Sequence, residues 1–174
     1  MSRLDSFIRR LEAQRACLDL AAQAIADLPG PVLELGLGNG RTFDHLRELL
    51  PGREIFVFER EVTAHPACVP DSDHLILGDI RATLPAAHAR LPGPAALAHS
   101  DIGTGDASRN RELAAWLAAN LPDLLAAGAW VVADQPLRSA ALVPQPPPAG
   151  IAPERYFIYQ NVPNLCSLIN SRLK

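Results

Sequence analysis

The sequence predicts a doubly wound α/β domain built on a mainly parallel sheet of six or seven strands, preceded by an amphipathic helix. Three observations predict it. Five short apolar runs each carry a carboxylate at or near their end, amphipathic stretches separate them, and a bare glycine loop follows the first run. Runs that short, apolar at successive positions, suit strands buried on both faces.

The leading helix comes from Leu4, Leu11, Leu18 and Ile25, which recur at seven-residue spacing with Phe7 and Ile8 beside them. They mark one face of a helix over about residues 3–27, inside an N-terminal segment 1–29 that Pro29 and Gly30 close. That stripe is expected to pack into the core. The strands follow as PVLELG, EIFVFE, HLILGD, AALAHSD and AWVVAD, which carry Glu34, Glu59, Asp79, Asp101 and Asp134. Between them, Arg41–Leu50 turns Phe43, Leu46 and Leu50 inward. Asp106–Ala127 sets Leu113, Leu117, Leu121 and Leu124 on one stripe, with Asp106 as N-cap and Gly128 as the stop. Weaker helices are expected at about 60–66 and 80–90. Strand–helix alternation of this kind implies right-handed crossovers. After Asp134 the rhythm fails. A Pro-rich loop, 136–150, has room for a helical turn or two over Leu137–Val143, and Arg155–Asn161 suits a sixth strand. Residues 164–174 read either as a last strand or as a short helix.

A chain of 174 residues fits a single domain, 1–174, and 48% hydrophobic with 20% charged residues fits a soluble globular one. A net charge of −3 without a block of Lys or Arg excludes a sizeable footprint for nucleic acid. The N-terminus MSRLDSFIRRLEAQR is charged throughout, unlike a signal peptide, and no apolar run approaches the ~20 residues that cross a bilayer. Cys17, Cys68 and Cys166 are far apart and odd in number, so they read as small apolar fillers in a reducing compartment. No membrane partner and a cytoplasmic location are expected.

In an open parallel sheet the ligand sits outside the carboxyl ends of the strands, where strand order reverses. That rule gathers Glu34, Glu59, Asp79, Asp101 and Asp134 onto one rim, beside Gly36, Gly38 and Gly40. A dinucleotide fingerprint would need glycine where Arg41 stands, although Glu59, 19 residues past Gly40, suits its ribose half. An NAD-dependent oxidoreductase is therefore one alternative.

The run E-L-G-L-G-N-G, Glu34–Gly40, resembles the acid-x-Gly-x-Gly-x-Gly first motif of class I S-adenosylmethionine-dependent methyltransferases. The resemblance continues through Glu59, the pair Gly78 and Asp79, and Asp101, and covers about residues 30–135. It implies a Rossmann-like methyltransferase fold, S-adenosyl-L-methionine as cofactor, and direct displacement of the methyl group onto an acceptor. The ligand's chemistry agrees. It carries an ammonium, a sulfonium, a ribose diol and an adenine amine, all suited to acceptors, whereas a carboxylate rim repels a pyrophosphate.

The resemblance also assigns roles. Glu34 would lie near the methionine ammonium, and Gly36, Gly38 and Gly40 would let the backbone approach the ligand. Glu59 would take both ribose hydroxyls, and Asp79 the adenine amine, with Ile80 against the ring. Asp101 would face the methionine moiety or the acceptor. His99 and Asp101, on one strand face at the end where an acceptor's base is expected, are the candidate catalytic residues. His99 also reads as a satisfied core histidine, and Asp79 and Asp101 as helix caps. Asp101, Asp134 and Gln135 are similar to the metal triad of catechol-type O-methyltransferases, with Gln135 where Asn is usual, but the expectation is no metal, with Asp134 simply ending its strand.

The strand-4 end S-D-I-G lacks the Pro-Pro-aromatic signature of enzymes that methylate DNA or protein-glutamine nitrogens. The short chain leaves the N-terminal helix, the DIGTGD loop (101–106) and the Pro-rich loop to shape an acceptor pocket. That points to a small-molecule acceptor, or to an active site completed by a second subunit of a homo-oligomer. A non-catalytic S-adenosylmethionine-binding protein is the other alternative, because the rhythm fails after Asp134.

Overall fold

The computed structural model describes residues 2–162. Ser2 opens α1 (Arg3–Ala24) with a reciprocal capping box: its hydroxyl accepts from the Asp5 N–H, and the Asp5 carboxylate accepts from the Ser2 N–H. Cys17, Leu18, Ala21 and Ile25 are buried, whereas Leu4, Phe7 and Ile8 are exposed. The expectation that the whole stripe packs is thus corrected. At 22 residues α1 is ~33 Å long, while β4, of 6 residues, is ~20 Å, so the helix outruns the sheet it covers.

The elements that follow are β1 (Val32–Leu35), α2 (Arg41–Leu49), β2 (Ile55–Glu59), β3 (Leu75–Leu77), α3 (Ile80–Ala86), β4 (Ala95–Ser100), α4 (Ala107–Asn120), β5 (Leu125–Ala133), β6 (Leu142–Gln145) and β7 (Phe157–Asn161). They form a seven-stranded sheet in the order β3-β2-β1-β4-β5-β7-β6. Strands β1 to β5 pair in parallel, and β7 runs antiparallel to both of its neighbours. α1 and α2 bring Leu18, Ile25 and Leu46 to one face. Leu84 of α3 and Leu117 of α4 pack on the other, with Leu121 just beyond α4. Strand order reverses between β1 and β4, which opens a crevice at their carboxyl ends.

Several boundaries differ from expectation. The helix expected to reach Ala127 ends at Asn120, where a short 3-10 turn, Leu121–Leu124, carries Pro122 and cannot continue an α-helical ladder. Leu121 and Leu124 are buried all the same. Gly128 is therefore no helix stop. It lies inside β5 at φ +83°, where the register jumps from Ala95↔Leu125 to Leu97↔Trp130, a bulge. Within 60–66 no α-helix forms, and a 3-10 turn follows at Pro66–Cys68. The Pro-rich loop holds β6 in place of a helical turn. Pro144 sits opposite Tyr159 on that edge strand, where a missing N–H facing outward costs no ladder bond.

Residues 164–174 and Cys166 lie outside the described residues. Cys17 is buried, which pushes its thiol up to about 11 and suits a filler. Among the described residues no helix is long and apolar enough to cross a membrane.

Arg53 ties α1 to β1. Its guanidinium donates to the carbonyls of Ile25 (3.2 Å), Leu28 (2.7 Å) and Gly30 (2.9 Å), satisfying acceptors that the helix end leaves open. Arg53→Ala is expected to lower the unfolding free energy by about 2 kcal/mol in a urea titration. Arg53→Lys, with one ammonium in place of a fork, is expected to recover only part of it.

Candidate active site

A cleft of about 490 Å³ opens over the carboxyl ends of β1 to β4, with Gly36, Gly38, Glu59, Asp79, Ile80 and Asp101 on its walls. That size suits a small-molecule ligand. The glycine loop passes so close to the chain after β4 that a Cβ on Gly36 would lie 2.5 Å from the Ile102 side chain and 2.9 Å from the Asp101 carbonyl. Gly40 does different work from the other two. At φ +80° it starts α2, and a Cβ there would lie 2.5 Å from that of Cys68. The close approach of Cys68 thus requires glycine at position 40 on packing grounds alone.

Glu59 grips the glycine loop. Its Oε2 accepts from the N–H of Leu37 (2.8 Å) and Gly38 (3.0 Å), and its Oε1 from those of Arg60 (2.7 Å) and Glu61 (3.3 Å). Burial works against the charged form, yet these backbone donors win and hold the carboxyl below its ordinary value. Its lone pairs are fully engaged before any hydroxyl arrives. Asp79 lines the cleft and also caps α3, accepting from the Arg81 N–H at 2.8 Å. Asp106 caps α4, and Asn110 clamps the loop before it, accepting from the Thr104 N–H (2.7 Å) and donating to the Thr104 carbonyl (2.8 Å).

Glu34 and His99 do not reach the cleft. The β1–β4 register sets them opposite each other, and both are 0% exposed. His99 Nδ1 lies 2.8 Å from Glu34 Oε2, and the Thr42 hydroxyl donates to Oε1. His99 Nε2 lies 3.2 Å from the Tyr156 hydroxyl, which can donate or accept and so serves either protonation state. Gln14 Nε2 donates to that hydroxyl at 2.7 Å and to Asp101 Oδ2 at 2.9 Å. Arg10 pairs with Asp101 Oδ1. Burial alone would keep His99 neutral, but the Glu34 carboxylate, with Asp101 and Asp134 further off, raises its pKa above 6.5. Both side chains are engaged by each other and by protein partners, and neither shows surface to the cleft. They form the polar layer beneath the glycine loop.

Asp134 lies behind the cleft. Its Oδ2 accepts from Gly103 N–H (3.1 Å) and Gln135 Nε2 (3.2 Å), and Oδ1 is buried without a partner among the described residues. Burial raises its pKa, with Asp101 adding to it and Gln135 opposing. Gln135 spends its amide nitrogen on Asp134, and among the described residues no three His, Cys, Asp or Glu side chains converge as a metal site.

Residues 1–161 match the family described as S-adenosyl-L-methionine methyltransferase. The chain belongs to that family. The S-adenosyl-L-methionine methyl transferase from Silicibacter pomeroyi is 45% identical, with a TM-score of 0.87 over 92% of this chain and 99% of that one. The plantazolicin methyltransferase BpumL, solved with S-adenosylhomocysteine, is 12% identical with a TM-score of 0.50 over 71% of this chain and 47% of that one, and shows the shared fold. Among curated proteins, none matches the chain. This methyltransferase is a transferase whose cofactor is S-adenosyl-L-methionine, so the nicotinamide alternative falls.

The residues that sequence reasoning missed in this methyltransferase are Arg10, Gln14, Asn110 and Tyr156. Arg10 and Gln14, four apart beside the buried Cys17 and Leu18, were the one available signal, a polar pair edging an apolar stripe.

The Glu34–His99 pair makes stability depend on pH. A folded pKa above 6.5 means its contribution is fully present below the unfolded value and is lost as pH rises through the folded one. His74, raised chiefly by its hydrogen bond to Asp71, acts in the same direction. Melting temperature is therefore expected to fall as pH rises from about 6.5, and Glu34→Gln to flatten part of that fall. A variant whose melting curve tracks the parent at every pH would contradict the assignment.

Proposed function

We propose that this methyltransferase transfers the methyl group of S-adenosylmethionine to a small-molecule acceptor by direct displacement, in the cytoplasm. The observation that carries the reading is the cleft at the β1/β4 switch point, where the backbone of Gly36 and Gly38 lies bare beside Glu59 and Asp101. The residues present fit the ligand. Acceptor oxygens suit its hydroxyls, amine and ammonium, and Gly38 meets nothing within 4 Å on its open side.

When bound, S-adenosylmethionine supplies a methyl group already activated on a sulfonium sulfur. The chain's task is then alignment and exclusion of water. Glu59 would take the ribose hydroxyls by exchanging its longer backbone contacts, Gly38 at 3.0 Å and Glu61 at 3.3 Å. Asp79 would receive the adenine amine on the side not spent on α3, with half-buried Ile80 against the ring. Asp101 would face the methionine moiety. The loop that Asn110 clamps lines the cleft and would flank an acceptor. A nucleic-acid acceptor lacks support, since the net charge is −3.

Calorimetric titration tests the assignment. S-adenosylmethionine and S-adenosylhomocysteine are expected to bind, and NAD not to. Glu59→Ala should weaken both by about ten- to a hundredfold, the value of charged hydrogen bonds. Binding of NAD alone would overturn the assignment. Methyl transfer from labelled cofactor to a panel of small phenols, amines, thiols and acids then separates acceptor classes, and labelling of nucleic acid in their place would refute a small-molecule acceptor.

A further inference from the structure

Asp101 stands on the wall of the cleft with both oxygens engaged by α1. The two contacts differ in kind. On Oδ2 the donor is Gln14, 5% exposed and bonded also to the Tyr156 hydroxyl, so that side is anchored in the buried layer. On Oδ1 the partner is Arg10, whose side chain is 41% exposed against 22% for Asp101. Among the described residues Arg10 makes its side-chain hydrogen bond to Asp101 alone. A guanidinium on a flexible, half-exposed stem is readily exchanged, whereas a buried amide is not.

We propose that Arg10 and Asp101 form a specificity-determining pair for an ammonium-bearing nucleoside. The guanidinium holds the place on Asp101 Oδ1 that the ligand's α-ammonium takes, while Gln14 keeps the carboxylate aimed. Entry of S-adenosylmethionine exchanges one cation for another and leaves no charge unpaired on Asp101. A nucleoside without an ammonium leaves the ion pair closed and gains nothing from Asp101. The inference rests on the cleft being the S-adenosylmethionine site.

The test is calorimetric titration of S-adenosylhomocysteine and of 5′-methylthioadenosine, which lacks the amino-acid end, into the parent, Arg10→Gln, Arg10→Lys and Asp101→Asn. Removing the competing cation should make Arg10→Gln bind S-adenosylhomocysteine about two- to fivefold tighter, the worth of a partly exposed ion pair, with methylthioadenosine unchanged. Arg10→Lys, still a cation, should stay near the parent. Asp101→Asn should weaken S-adenosylhomocysteine and spare methylthioadenosine. Equal or weaker binding of S-adenosylhomocysteine by Arg10→Gln, or tighter binding of both nucleosides, would overturn the exchange, as would an Asp101→Asn protein indistinguishable from the parent. In those cases methylthioadenosine still binding the parent keeps the cleft assignment standing. Binding of neither nucleoside to the parent would overturn both.

Discussion

The contact between Glu34 and His99 is the constraint on which the rest of this structure hangs. A carboxylate with no exposed surface persists only where donors replace water, because an uncompensated buried charge is far costlier than a surface one. Here the network draws on four parts of the chain: His99 on β4, Thr42 on α2 and, through Tyr156 and Gln14, the segment before β7 and α1. Each must be in place for the others to be satisfied. The layer therefore sets where α1 crosses the sheet and where the glycine loop leaves β1. It sets as well where Asp101, the outermost member, stands against the cleft.

Above that layer the cleft is organised by backbone more than by side chains. Glu59 gathers N–H groups from its own turn and from the glycine loop, so the end of β2 is tied to the end of β1. Asn110 does the same for the loop after β4. Acceptors oriented by such bonds before a ligand arrives lower the cost of ordering them on binding. The acids expected to form a uniform rim divide in consequence. Glu59, Asp79 and Asp101 face the cleft, Glu34 supports it from below, and Asp134 lies behind it.

Much of this was legible in the chain. Buried strands announce themselves by continuous apolar runs, and the five expected from β1 to β5 are present, as is the one ending at Asn161. The glycine motif and the ordered acids pointed to the family. Where expectation failed, a tertiary term outweighed a local one. The leucine stripe around Leu121–Leu125 has helical spacing, yet Pro122 stops the helix and the sheet claims Leu125 for β5. β6 escaped notice because a proline-bearing run of four residues has no strand signal until β7 pairs with it. With β6 and β7 in the sheet, the failing rhythm after Asp134 no longer argues for a protein that merely binds the cofactor.

By itself, then, the sequence determined the fold class, the succession of strands β1 to β5, the family and the cofactor, because these depend on periodicity and on a contiguous motif. Tertiary structure alone decided which acids face the cleft. Glu34 and Glu59 look alike along the chain, each a carboxylate at a strand end. Register places Glu34 against His99 under the sheet's α1 face, while the turn after β2 leaves Glu59 over the glycine loop. Nor does anything in the run around Arg10 and Gln14 tell that Asp101, some ninety residues away, is their partner. Local pattern encodes which face a residue takes, but what it meets there depends on the packing of segments distant in sequence.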